Sequence, residues 1–149
     1  MAQAKRQFFW VPGPLPGLNE VIDAAHVTYG RGNTRFSEYR KMKRSWGERI
    51  QAYALSQRLE PIESAEFHYL CVETSRRRDP SNITAGALKL IEDGLQDAGV
   101  LKNDGWSNVL SIQVSWTVGE YPGVMLGVGQ QAPTLAELVA RLPGLTAAG

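Results

Sequence analysis

Between Arg76 and Trp106 the chain reads "RRRDPSNITAGALKLIEDGLQDAGVLKNDGW". Three acids, Asp79, Asp93 and Asp104, stand around one lysine, Lys89, and three arginines precede them. Carboxylates gathered at one point repel each other unless a divalent cation neutralises them. Mg²⁺ takes hard oxygen ligands, keeps several waters, and commonly uses few carboxylates plus a substrate phosphate. Mn²⁺ accepts the same donors. A lysine close by stabilises charge developing on a phosphate or orients an attacking water. Arg76, Arg77 and Arg78 would hold a nucleic-acid backbone. Together these parts spell metal-assisted hydrolysis of a phosphodiester.

The elements that carry these residues follow from the local pattern. Residues 84–98 form an amphipathic helix on which Thr84, Ala87, Leu88, Ile91, Leu95 and Ala98 make one apolar sector. Lys89, Asp93, Gln96 and Asp97 fall opposite, and Gly99 ends the helix as a C′ residue. Lys89 precedes Asp93 by four residues, the weaker orientation for a helical ion pair, so helix stability does not explain the placement. Asp79 precedes Pro80, which makes its backbone extended and places it at the end of the preceding strand. Ser81 reads as the helix N-cap, and Asp97 as solvated surface. A helix of this length spans about 22 Å. Asp79 and Asp104 therefore meet only if the flanking strands return them to one place, which spacing alone leaves open.

The rest of the chain supplies a frame. "QFFWV" (7–11) reads as a first strand ended by the proline-rich "PGPLPG", and 19–36 as an irregular basic arm. Ser37 is the expected N-cap of a long helix to Gln57, with Tyr39, Met42, Trp46, Ile50 and Tyr53 facing the core. Arg35, Lys41 and Arg44 are the DNA-contact candidates of this region. Ala65–Thr74 reads as a central strand with both faces buried. Val109–Val118 alternates Leu110, Ile112, Val114, Trp116 and Val118 against Ser111, Gln113, Ser115 and Thr117. "GEYPG" then turns it into a partner strand, Val124–Val128. Thr134 and Glu137 form a capping box for a short last helix. The order β-α-β-α-β-β-α predicts an α+β fold, one domain over residues 1–149 with a mixed sheet packed by helices and a frayed tail at 143–149.

Composition narrows the function classes. Net charge is only +1, yet residues 1–50 hold nine Lys/Arg against four Asp/Glu, and residues 89–149 hold three against six. A chain basic early and acidic late suits a polyanion together with a metal. The single cysteine, Cys71, excludes an internal disulfide and fits a reducing cytoplasm. No apolar run approaches the ~20 residues of a membrane span, and the first residues lack a signal-peptide pattern. His26 and His68 are too isolated for a metal or triad site, and Cys71 reads as a small buried residue. Trp10, Trp46 and Trp116 read as core, Trp106 as a turn residue at a dimer or DNA surface, and Leu90, outside the apolar sector, as a subunit contact.

The 76–106 stretch resembles the central motif of the RusA family of Holliday junction resolvases in its phage-type form. That motif runs Asp-Pro-Asp-Asn, then a helix with a Lys and "DGL.DAGV", then an acidic pair. "FFWVPGPLPGLNEVI" and "RGNTRFSEYRKMKRSW" resemble the family's opening strand, proline-rich loop and basic helix, so the likeness runs in order over residues 8–118. It implies a homodimeric, Mg²⁺-dependent endonuclease that cuts two opposing strands of four-way DNA junctions in recombination and repair. Asp79 matches the first metal-binding Asp, Lys89 the catalytic Lys, Asp104 the last metal-binding Asp, and Asp93 a recurrent helix Asp. The implied setting is the cytoplasm of a bacterial host, with a phage or prophage gene. Ser81 and Asn103 stand where the family carries acids. That departure opens an alternative, a relative that binds junctions and cuts weakly or not at all.

Overall fold

The computed structural model describes residues 5–26 and 34–144, without the side chains of residues 26 and 34–37. Strand β1 (Gln7–Pro12) is followed by α1 (Leu18–His26), α2 (Thr34–Ser56), β2 (Ala65–Glu73), α3 (Pro80–Asp97), β3 (Val109–Val118), β4 (Gly123–Gly129) and α4 (Leu135–Val139). The fold is α+β with one four-stranded mixed sheet in the order β1-β4-β2-β3.

Strand β2 is central, as the apolar side chains on both of its faces predict, and pairs parallel with β3 and antiparallel with β4. Phe67, Tyr69 and Cys71 face one large core cluster with Trp46, Ile50, Ile91 and Leu95 from α2 and α3. Leu70 and Val72 face a smaller cluster on the other side, with Met125 and Leu138. His68 is buried there between Pro133 O at 2.7 Å and Ser115 Oγ at 2.9 Å, a structural link. Cys71 is fully buried, and burial pushes its thiol up to about 12.

Helix α3 is wedged between the sheet, α2 and the proline-rich loop. Two glycines make this approach close enough. A Cβ at Gly94 would lie 2.7 Å from Ile50 side-chain atoms of α2. A Cβ at Gly86 would run into the Pro16 carbonyl and the Gly17 backbone. The buried arc of α3 is therefore wide, including Ile83, Ala87, Leu90, Ile91 and Leu95. Leu90 is core rather than the expected subunit contact, because α2 covers the flank that a one-sided helix would leave bare.

Several expectations are corrected. Residues 18–26 are helical, where the sequence suggested irregular structure. Leu18, Val21, Ile22 and Ala25 carry helical spacing, the Glu20 carboxylate accepts from Gly17 N, and Asn82 Oδ1 accepts from Asn19 N at 2.9 Å. Helix α2 begins at Thr34, so Ser37 lies inside it and is not its N-cap. Strand β4 does not pair with β3; it crosses to the slot between β1 and β2. Physical reason favours this: β4 is buried along its whole length, whereas β3 carries Ser and Gln side chains suited to an edge. As an edge strand, β3 leaves Leu110, Ile112, Trp116 and Val118 about half exposed, so Trp116 is not core. The capping box of α4 forms as read, with Thr134 Oγ1 accepting from Glu137 N.

Candidate functional site

Lys89 lies at the middle of α3 and extends along its polar face. Its ammonium donates to Asp93 Oδ1 and to Asp104 Oδ2, each at 3.1 Å. Asp93 lies one turn further along the same helix. Asp104 arrives from the loop that follows. Gly99, at φ +75°, ends the helix, and Val100 N and Leu101 N both bond back to Leu95 O. Ile62 then pins Val100 through its backbone N–H at 2.7 Å. Asn103 Oδ1 caps Gly105 N at 2.8 Å, which fixes the turn holding Asp104 beside the helix. The "NDGW" turn read from the sequence is thus the device that brings Asp104 to Lys89.

The three groups set each other's charge. The hydrogen bonds that Lys89 donates to Asp104 and then Asp93 raise its pKa. The Lys89 hydrogen bond lowers that of Asp104. From α2, Lys43 reaches Asp93 Oδ2 at 3.6 Å. Behind this cluster Glu92 is buried and accepts from the Tyr69 hydroxyl at 2.9 Å. Burial raises the Glu92 carboxyl pKa, and the Asp104 and Asp93 charges add to the rise. Tyr69 is likewise pushed well above its ordinary value, by burial first and Glu92 second. Sequence reasoning missed Glu92, Lys43 and the Tyr69 hydroxyl. Tyr69 reads as core in a strand, and only the packing of α3 on β2 shows that its polar end meets an acid.

Asp79 stands elsewhere. It is the N-cap of α3, with extended backbone as Pro80 requires, but its side chain makes no capping hydrogen bond. Ten residues separate it from Lys89, about 15 Å of helix. It lines a cleft of about 300 Å³ with Glu73, Arg76, Arg78, Ile83 and Trp116. Ser81, expected as the N-cap, instead lies inside the first turn, exposed, because the helix already starts at Pro80. Asp97 is exposed, as expected.

The basic candidates also separate. Arg78 forks onto Glu73 at 2.7 and 2.8 Å, and reaches Leu15 O and Glu20 Oε1. It therefore clamps the end of β2 to the proline-rich loop and α1. Arg76 and Arg77 remain exposed. On α2, Arg44 is exposed, and Lys41 makes a 3.8 Å contact with Glu38. The Arg35 side chain lies outside the described residues.

Among the described residues no group of three or more His, Cys, Asp or Glu side chains is arranged to hold a metal. The set Asp79, Asp93 and Asp104 does not come together. The pair Asp93 and Asp104 does, with hard oxygen donors converging on one ammonium. Two carboxylates plus a substrate phosphate are a common Mg²⁺ arrangement, so this pair fits the ion without Asp79. No helix among the described residues is long and apolar enough to cross a membrane. Compared with protein-family models and with curated proteins, the chain matches none of either.

Proposed function

We propose that the chain is a RusA-like junction resolvase, a homodimeric endonuclease that cuts four-way DNA junctions by paired phosphodiester hydrolysis. The observation that carries this reading is Lys89 donating to both Asp93 and Asp104 at 3.1 Å, beside the basic helix α2. Mg²⁺ or Mn²⁺ bound by Asp93 and Asp104 would neutralise phosphate charge and make water more acidic. The chain's own groups do the rest. Lys89, exchanging its carboxylates for the scissile phosphate, stabilises the negative charge that grows there. Lys41 and Arg44 on α2, with Arg76 and Arg77 before α3, contact the DNA backbone. Glu92 and Tyr69, bonded to each other on the buried side, back the cluster.

A second copy of the chain is supported by the free edge of the sheet. Leu110 and Ile112 stand about half exposed on β3, and Trp106 just before it is almost fully exposed. Edge strands with exposed apolar side chains are templates for pairing. The setting on this reading is a bacterial cytoplasm, with a phage or prophage gene serving recombination or repair.

A second reading is a junction-binding protein that does not cut. Ser81 and the separation of Asp79 from Lys89 favour it. The test is a labelled synthetic four-way junction beside duplex, forked and flapped DNA, with EDTA, Mg²⁺ or Mn²⁺. Paired symmetric nicks in the junction alone support a resolvase. Tight junction binding without nicks selects the second reading. Cutting of flaps or forks in preference to junctions indicates a different branched-DNA nuclease.

A further inference from the structure

We propose that the cleft between the C-terminal ends of β2 and β3 and the start of α3 binds an unpaired nucleobase of a DNA strand, stacked on Trp116 and read by Asp79. This rests on the reading of the chain as a DNA-binding protein, and it gives Asp79 a use away from Lys89. Trp116 lines this cleft and is 45% exposed. Its indole Nε1 donates to Thr84 Oγ1 at 2.9 Å, and that hydroxyl donates to Pro80 O at 2.8 Å. The ring is thus fixed by its polar edge. A fixed, half-exposed indole is a stacking platform, and Ile83 and Val118 wall the same space with apolar surface.

The charges in the cleft choose a base over a phosphate. Arg78 is already bound to Glu73, so the pair offers neither a free cation nor a free acid. Asp79 is different: among the described residues no hydrogen bond or ion pair engages its carboxylate. An ionised carboxylate only accepts hydrogen bonds. It repels phosphate and suits the amino and imino donors of a base edge, guanine with its adjacent N1–H and N2–H best of all. Pairing in a duplex hides those donors, so the occupant is an unpaired base, as at a branch point or strand end. Arg76, exposed on the rim, suits the phosphate attached to that base. A volume of about 300 Å³ is at the small end of ligand sites and matches one base.

The test uses the full chain and a single-stranded DNA decamer in EDTA, so that cutting plays no part. One decamer carries 2-aminopurine, whose fluorescence falls on stacking. Two others carry guanine or hypoxanthine, which lacks the N2 amino group, at the same position. The expected result is strong quenching by the wild type. Trp116→Ala should abolish the quenching and weaken binding about tenfold or more. Trp116→Phe should retain part of both, with a thermal melt like the wild type's. Asp79→Asn should remove the preference for guanine over hypoxanthine. Quenching that survives in Trp116→Ala, or no binding of the decamer by folded wild type, overturns the proposal. The outcome is separate from that of the junction panel. Decamer binding without junction selectivity keeps the cleft and sinks the resolvase. Junction cutting without Trp116-dependent quenching sinks the cleft alone.

Discussion

The two halves of α3 present acids in opposite electrostatic states. Midway along the helix, Asp93 and Asp104 share the Lys89 ammonium and Lys43 stands close by, so every charge has an opposite within reach. At its start, Asp79 faces a cleft lined by Trp116, with its carboxylate unbonded among the described residues. In the sequence the acids look alike, polar residues near one helix. The structure separates them into a compact charge cluster and an open acceptor about 15 Å away. A neutralised cluster is suited to an ion and a phosphate that replace its internal bonds. An open acceptor beside an aromatic ring is suited to a neutral donor.

The largest way to break this contrast is Lys89→Ala. Cutting of the four-way junction in Mg²⁺ should fall about 10²- to 10³-fold, the usual cost of losing one preorganised charge stabiliser. The melting temperature should change little, because the lysine side chain is 62% exposed and its ion pairs are worth little to folding. A fall in both would make Lys89 a structural residue.

Next in size is Gly94→Val, which attacks the packing that positions the cluster. The new side chain would strike Ile50, and chemical denaturation should report a loss on the order of 1–3 kcal/mol. Adding Ile50→Ala should recover part of it. Without recovery, the α2–α3 contact is not what the glycine serves.

A smaller effect separates buried from exposed acid. Glu92 has its pKa raised by burial, so its ionisation in the folded state is the costly event. Its unfavourable contribution is absent below the unfolded value near ~4.3, grows as pH rises through the folded value, and then levels off. Glu92→Gln still accepts from Tyr69 and removes this cost. Melts across pH should show the variant gaining on the wild type above about pH 4.3 and the two converging below it. Asp104 acts with the opposite sign. Its pKa is lowered by Lys89, so its contribution is present above ~3.9 and lost as pH falls below that. Parallel curves for wild type and Glu92→Gln would contradict the buried-acid assignment.

The smallest expected change is Lys43→Ala. The 3.6 Å contact with Asp93 is partly exposed, and its loss should cost under about 0.5 kcal/mol by denaturant unfolding.

What the sequence could and could not give follows the range of the forces involved. Alternation and helical spacing made β1, β2, β3, α3 and α4 legible, since each is a local pattern. The pairing of β4 was not legible. "GEYPG" looks like a hairpin, and only the competition for the buried slot beside β2 sends β4 there. Helix α1 was hidden by its short length and by the prolines before it. At the site, Lys89 and Asp93 were readable from the helix, and Asp104 from its turn. Glu92 and the Tyr69 hydroxyl were not, because their meeting depends on how α3 lies across β2. The place of Asp79 was left open by spacing, and the helix length decides it.

The most direct measurement compares Asp104→Asn, Asp93→Asn and Asp79→Asn on one labelled four-way junction in Mg²⁺. With Asp93 and Asp104 as the reactive pair, both of their variants lose cutting while Asp79→Asn keeps it within about tenfold of the wild type. Loss of cutting in Asp79→Asn with survival in Asp93→Asn would contradict the account and move the chemistry to the start of the helix.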